Sequence, residues 1–462
     1  MTRTRGRAGA VAALSASVLL VAQPALAATY VPGSPGVGDG YFPLAGNGGY
    51  DVRHYGLTVR FDPATRDFAS TTAISARATD DLSSFNLELR GWTIRSLTVD
   101  GKQAGYTRDG QELTVSPRPK LKDGDRFRVV VRYDGQSGRP TDIEGVLYGW
   151  VSMPDGSFVA NEPEGASTWY PVNDHPTDKA RYDFRVTVPE GKTAVANGDL
   201  VGQRTRNGWT TWRWHADELM ASYLSTASVG DYDLHTYETD DGLPIIDAVD
   251  RDLPATADHG LARVPEMIAF FEDVVGPYPF GSYGAIVDDD EDAGYALETQ
   301  TRPVYSGAPG EGTVAHELSH QWLGNSVSPG RWQDIWLNEG FATYAEWLWE
   351  EHTGGATTAE QFDTNYARPL TSSIWSRPAG DPGAEHLFST PVYDKGAMTL
   401  QALREKIGDD AFFATLRAWY AENRDSTVTT PDFVALAERE SGQQLDAFFT
   451  TWLYEAGKPV SW

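Results

Sequence analysis

The chain has 462 residues, no cysteine, and 65 acidic against 38 basic side chains, for a formal net charge of −27 at pH 7. Without cysteine there is neither a disulfide staple nor a thiolate metal site, so any metal must be held by imidazole and carboxylate. The negative balance argues against nucleic acid or an anionic membrane surface as partner, and the length is ample for two hydrophobic cores.

Arg3, Arg5 and Arg7 precede an almost wholly apolar or small stretch from Ala8 to Val21, and Ala25-Leu26-Ala27 follows with small residues at cleavage-site spacing. This pattern predicts a signal peptide over residues 1–27 and a secreted, extracellular protein, with a retained N-terminal anchor as the alternative. From Tyr50 to Asp233 the sequence reads as strands, among them Tyr55–Phe61, Thr93–Val99, Phe127–Tyr133 and Tyr182–Val188. Each largely alternates apolar with polar residues, and turn pairs such as Asp100-Gly101 and Asp109-Gly110 punctuate them, predicting an antiparallel β domain. Beyond Asp233 helical periodicity takes over, at 261–275, 313–325, 339–352, 396–407, 410–423 and 430–441, with one strand-rich stretch around 283–305. The predicted fold is α+β in two domains, a β-rich domain over residues 28–238 and a mainly helical one over 239–462. The 15 tryptophans are scattered through both, which predicts core positions for most of them.

Inside the helical half stands His316-Glu317-Leu318-Ser319-His320. On an α-helix a spacing of four puts both imidazoles on one face, with Glu317 flanking it. A divalent metal held by the imidazoles then has a carboxylate beside it, placed to take a proton from water. A helix-surface pair of solvated histidines is the bland alternative. Against it, Ala315, Leu318, Trp322 and Leu323 give the segment a face to bury, and Glu339 follows nineteen positions after His320 in the first turn of another helix. Two imidazoles and one carboxylate leave a zinc position open, as catalytic sites require, so the expectation is a zinc peptidase with one zinc per chain and Glu317 as general base. The remaining histidines have no ligand-like spacing. The run Asp288-Asp289-Asp290-Glu291-Asp292 does not match an EF-hand loop and reads as a solvated acidic loop rather than a calcium site.

The block His316-Glu317-x-x-His320-Gln321-Trp322-x-Gly324-Asn325, continued by Trp336-Leu337-Asn338-Glu339-Gly340, resembles the gluzincin aminopeptidase family, which includes aminopeptidase N and the leukotriene-hydrolase aminopeptidase. The resemblance runs from about Asn47 to Trp462 and takes in Gly48-Gly49-Tyr50-Asp51-Val52 and Trp169-Tyr170-Pro171. It implies a thermolysin-like catalytic domain, zinc ligation by His316, His320 and Glu339, and hydrolysis of N-terminal peptide bonds of peptides or proteins with a free amino terminus. The family's Gly-x-Met-Glu-Asn strand, whose glutamate receives the substrate ammonium, corresponds to Gly294-Tyr295-Ala296-Leu297-Glu298-Thr299, with both neighbours of the glutamate changed and one residue more after the glycine. A second amine anchor falls at Glu162 or Glu164 in Asn161-Glu162-Pro163-Glu164-Gly165, and Tyr393, in Tyr393-Asp394-Lys395-Gly396-Ala397, takes the place of the tyrosine that stabilises the oxyanion. The chain stops about where the family's catalytic domain ends, implying that the C-terminal helical domain is missing and the site more open. Competing readings are an endopeptidase indifferent to the free amine and a non-hydrolytic binding protein on a zincin scaffold; retention of Glu317 and Tyr393 argues against the latter.

Overall fold

The computed structural model describes residues 29–460 apart from 258, 259 and 291, together with residues 1–4, 6 and 9. The signal-peptide reading of residues 1–27 thus lies almost wholly outside the described residues.

The first half is built on an eight-stranded sheet of β1 (Tyr50–Asp62), β2 (Asp67–Ala78), β3 (Thr93–Val99), β4 (Lys102–Gln103), β5 (Arg126–Gln136), β6 (Lys179–Pro189), β7 (Asp199–Arg206) and β8 (Trp209–Ala221). Their order across the sheet is β7-β8-β6-β1-β2-β5-β3-β4. Alternation makes one face apolar: Leu57, Val59 and Phe61 of β1 and Phe184 and Val186 of β6 are buried. A register shift between Val52 and His54 displaces the alternation, so that Val52 and Tyr55 both point inward. Two four-stranded sheets cover this face, one containing Leu82–Glu88 and the other Gly149–Ser152. Trp150 packs edge-on against Phe61 and Phe68, with centroids 5.2 and 4.9 Å apart, and Phe85 meets Tyr50 at 5.6 Å. Two pairings depart from a purely antiparallel domain: Val31–Pro32 runs parallel to the strand Leu82–Glu88, and β6 runs parallel to β1 over Arg181–Thr187. A parallel neighbour needs a long crossover, and for β6 the excursion through the second small sheet supplies it.

The second half opens with a mixed five-stranded sheet of β9 (Tyr232–Glu238), β10 (Pro244–Asp250), β11 (Tyr283–Val287), β12 (Ala296–Leu297) and β13 (Val304–Tyr305), in the order β9-β10-β11-β13-β12. Because β9 pairs with β10, this unit begins at Tyr232 rather than at 239. Helices α1 (Val264–Val274), α2 (Glu311–Ser319), α3 (Trp336–His352), α4 (Thr358–Tyr366), α5 (Gly396–Ile407), α6 (Asp409–Asn423), α7 (Thr430–Ser441) and α8 (Asp446–Phe449) follow. Central α3 is buried nearly all round from Trp336 to Trp349, largely apolar as an enclosed helix is, with Asn338, Glu339 and Thr343 the buried polar exceptions. It meets α5 at two glycines: a Cβ on Gly396 would lie 2.8 Å from the Cα of Gly340. Helix α4 has no counterpart among the predicted elements, although Thr357 and Glu360 form a capping box at its start. Thirteen tryptophans are core residues, Trp209 is half-buried and Trp462 is outside the described residues.

The halves are pinned together beside the second histidine. Lys179 of β6 donates to the carbonyls of Asn325, Ser326 and Ser426 at 3.0, 2.8 and 3.1 Å. The Tyr223 hydroxyl donates to the Gly324 carbonyl at 3.0 Å, and Asn197 donates to that of Gln300 at 2.7 Å.

Candidate metal centre and substrate cleft

Helix α2 is shorter than its periodicity suggested. It ends at Ser319, His320 caps it in helical conformation, and the chain then turns back on itself. Gly324 sits at φ +141°, where an added Cβ would approach His320 Nδ1 to 3.0 Å, so glycine is what allows the return. His316 and His320 nevertheless share a face, their rings 4.8 Å apart between centroids.

Glu339, in the first turn of α3, points at both. Its Oε2 lies 3.2 Å from His316 Nε2 and 3.6 Å from His320 Nε2. These separations are close to the roughly 3.3 Å between ligand atoms on a tetrahedral zinc with 2.0–2.1 Å bonds. The far nitrogens are engaged: His316 Nδ1 meets Glu346 Oε1 at 2.6 Å, and His320 Nδ1 faces the Leu323 carbonyl at 3.3 Å. With a metal bound, these outer partners would keep each proton on Nδ1 and leave each Nε2 lone pair for the ion. Burial would push Glu339 up, but the imidazoles of His320 and His316 override it and hold its carboxyl down at about 2, anionic as a ligand must be. Two neutral nitrogens and one anionic oxygen, in a protein without thiolates, fit zinc with a position to spare.

Glu317 lines the same cleft, with a ligand atom each from Glu298, Glu317 and His320 within 4.8 Å of one another. Burial pushes its carboxyl up to about 8, against the pull of the two imidazoles. Tyr393 sits in a single π-helical turn, Pro391–Lys395, that leads into α5. Such turns redirect one side chain, and here the Tyr393 ring stacks on His316 with centroids 6.1 Å apart. Burial and the charge of Glu339 keep its pKa well above 10, so the phenol retains a proton to donate.

Glu298 directly follows β12, the edge strand, and is only 2% exposed. Its carbonyl accepts from Asn325 Nδ2 at 2.7 Å and Gln321 Nε2 at 3.2 Å, which explains why those side chains follow His320. Of the two rival glutamates, Glu162 is buried and lines the cleft, whereas Glu164 is bound to Arg90 at 2.6 Å. Oε1 of Glu162 and Oε1 of Glu298 have no hydrogen-bond partner, and burial pushes both carboxyls up. Glu162, Glu298 and Glu339 bring one oxygen each within 4.8 Å.

The cleft has a volume of about 590 Å³. Asp142, Glu144, Glu162, Glu298, Glu317, Glu339 and Glu346 line it, and among the described residues no lysine or arginine does. The loop carrying the first two is organised by Asp142 Oδ1, which accepts from the backbone of Glu144 and Val146, and is tied to the 294–298 segment by Tyr295, whose hydroxyl donates to the Leu147 carbonyl at 2.7 Å. Sequence reasoning missed Glu346, although it lies seven residues after Glu339 on the same helix and so on the same face. The Asp142–Glu144 loop carried no readable signal. The acidic run is only partly the solvated loop expected: Asp292 is exposed, but Asp288 and Asp290 are buried, the former bound by the Tyr232 hydroxyl and the latter 3.6 Å from Arg139.

Residues 52–224 match the model of the peptidase M1 N-terminal domain and residues 296–452 that of the peptidase family M1 domain. The chain is similar to aminopeptidase N of Lactococcus lactis subsp. lactis, 25% identical over 444 residues, covering 88% of this chain and 51% of that protein. It is 27% identical over 401 residues to human endoplasmic reticulum aminopeptidase 1, covering 78% of this chain and 42% of the relative. The chain thus spans about half, or less, of the length of these curated relatives. Among solved structures, the M1 zinc metallopeptidase from Deinococcus radiodurans superposes with a TM-score of 0.85 at 30% identity, covering 92% of this chain and 100% of that one. A mutant of the same protein, bound to a Tyr-Ser-Ala substrate, superposes with a TM-score of 0.85 at 29% identity, with 92% and 99% covered.

Proposed function

The chain belongs to peptidase family M1, whose cofactor is a single catalytic zinc, and from that premise we propose that it is an aminopeptidase removing N-terminal residues from peptides. The observation that carries this reading is the pair Glu162 and Glu298, buried beside the metal position with an unpartnered oxygen apiece. A buried carboxylate without a cation is costly, and the ammonium of a peptide supplies one. With the amino terminus held there, the first peptide bond lies over His316, His320 and Glu339.

Zinc in that position supplies Lewis acidity for the scissile carbonyl and acidifies water. Glu317 accepts a proton as water adds to the carbonyl carbon, and returns it to the departing amine as the C–N bond breaks. The Tyr393 hydroxyl donates to the oxyanion, a stabilisation on the order of 3 kcal/mol for one donor. Export through the N-terminal basic, apolar and small-residue pattern belongs to the same reading, and comparison of culture supernatant with cell lysate tests it.

The decisive experiment compares free and N-acetylated forms of one peptide. Acetylation is expected to abolish turnover. Equal rates would leave Glu298 and Glu162 without an ammonium to bind and make the enzyme an endopeptidase. Glu317→Ala should retain zinc and lose hydrolysis; unchanged turnover would remove the assigned base.

A further inference from the structure

The outward face of the eight-stranded sheet carries positive charge that the peptidase site does not use. Arg60 on β1, Arg185 on β6, Arg213 on β8 and Arg204 and Arg206 on β7 come from four adjacent strands and line one cleft of about 690 Å³. All five are exposed. Some other arginines of this sheet are matched, Arg53 with Asp51, Arg95 with Asp134 and Arg181 with Asp217, whereas Arg77, Arg126, Arg128 and Arg132 make no ion pair among the described residues. Among the described residues none of the five in the cleft makes an ion pair.

The pairing register makes this arrangement costly. Arg185 lies directly opposite Arg213, and like charges facing each other across a strand pair destabilise a sheet. The carboxylate closest along β6, Asp183, is already engaged by His54 at 2.9 Å and His215 at 2.8 Å. In a chain of net charge −27, five unmatched guanidinium groups gathered on one groove call for an anionic occupant.

We infer that this groove is a binding site for a short, polyanionic oligosaccharide. Guanidinium groups grip sulfate, phosphate and carboxylate through paired N–H donors, and a row of them across four strands suits a ligand with several such groups. Sugar hydroxyls fit the remaining lining, Thr187, Thr211 and Asn207. Single-stranded nucleic acid fits less well, since it needs a free aromatic face for its bases. Among the described residues the one ring in the cleft is Trp209, and the Arg60 guanidinium covers it at 3.4 Å. The acidity of the rest of the molecule repels a long polyanion and favours a short one.

The test is titration of the full chain with a heparin-derived octasaccharide, beside an uncharged dextran oligomer and a single-stranded oligodeoxynucleotide of equal charge. Salt-sensitive binding of the sulfated octasaccharide alone is expected, weakened on the order of ten- to a hundred-fold in Arg185→Gln/Arg213→Gln through loss of two charged contacts. Peptidase turnover should be unchanged and thermal stability no lower, because the substitutions relieve a like-charge pair; Arg204→Gln/Arg206→Gln serves as an independent second variant. Absence of octasaccharide binding, or full affinity in both variants, overturns the site. Oligodeoxynucleotide binding as tight as that of the octasaccharide overturns the ligand class.

Discussion

Glu346 lines the cleft without being one of the three side chains grouped at the metal position, and its contact with His316 Nδ1 favours Nε2 as the inward-facing ligand atom. Such outer carboxylates fix ligand tautomer and orientation, so Glu346→Ala should weaken zinc binding by roughly 10- to 100-fold; competition with a chelator measures it, and unaltered affinity would show the bond to be incidental. Glu112 offers a second test away from the site. Both its carboxylate oxygens are buried without a partner, and burial, with a smaller push from Asp109, raises its carboxyl from 4.5 to about 7. The folded chain therefore holds a proton there that the unfolded chain releases, so this residue's contribution is full below pH 4.5 and is lost as pH rises through 7. Glu112→Gln should flatten that part of the stability curve and raise the melting temperature at pH 8. A parallel curve displaced equally at all pH values would exclude the mechanism. At this scale the face shared by His316 and His320 was legible because one helical turn fixes their spacing. Glu162 and Glu164 were not distinguishable, since only the fold reveals that Arg90 claims one of them.

Among elements, the predicted bounds of α5 and α7 coincide with the observed ones, and those of α3 and α6 start within three residues of them. Periodicity is strong where a helix has one buried face. It overran on α2, whose apolar residues Trp322 and Leu323 are buried by a tight turn instead of by helix. Helix α4 was hidden by a weakly apolar sequence, although its capping box was there to be read. The crossing of α3 and α5 depends on Gly340 and Gly396, which connect the element bearing Glu339 to the one following Tyr393. In Gly396→Ala, helix propensity gains about 1 kcal/mol while forced separation of two backbones costs about 1–3 kcal/mol. The melting temperature and kcat should both fall. A variant that melts higher with kcat unchanged would show that this contact does not set the spacing of the site.

For the molecule as a whole, the two-part organisation was readable from the switch between alternation and helical periodicity, but β9 was assigned to the wrong side because a strand does not reveal its partner. Net charge was equally blind to position: the average of −27 hides both the carboxylate-lined cleft and the arginine groove. Lys179 holds the halves together through three carbonyls, two of them just beyond Gly324. Lys179→Met keeps the stem and loses the ammonium, leaving three acceptors unmet at a cost on the order of 3 kcal/mol. Calorimetry should find a lower melting temperature, with the two halves unfolding less cooperatively; an unchanged transition would mean that the joint rests on packing alone.

The proposed amine seat straddles that joint, with Glu162 reaching in from the β-rich half and Glu298 from the other. An occupant gripped by both acts as a rivet through the seam. On the proposed reading the enzyme would count residues with a ruler whose zero mark belongs to one body and whose scale is engraved on the other, so that slippage between them would blur the count before it slowed the chemistry.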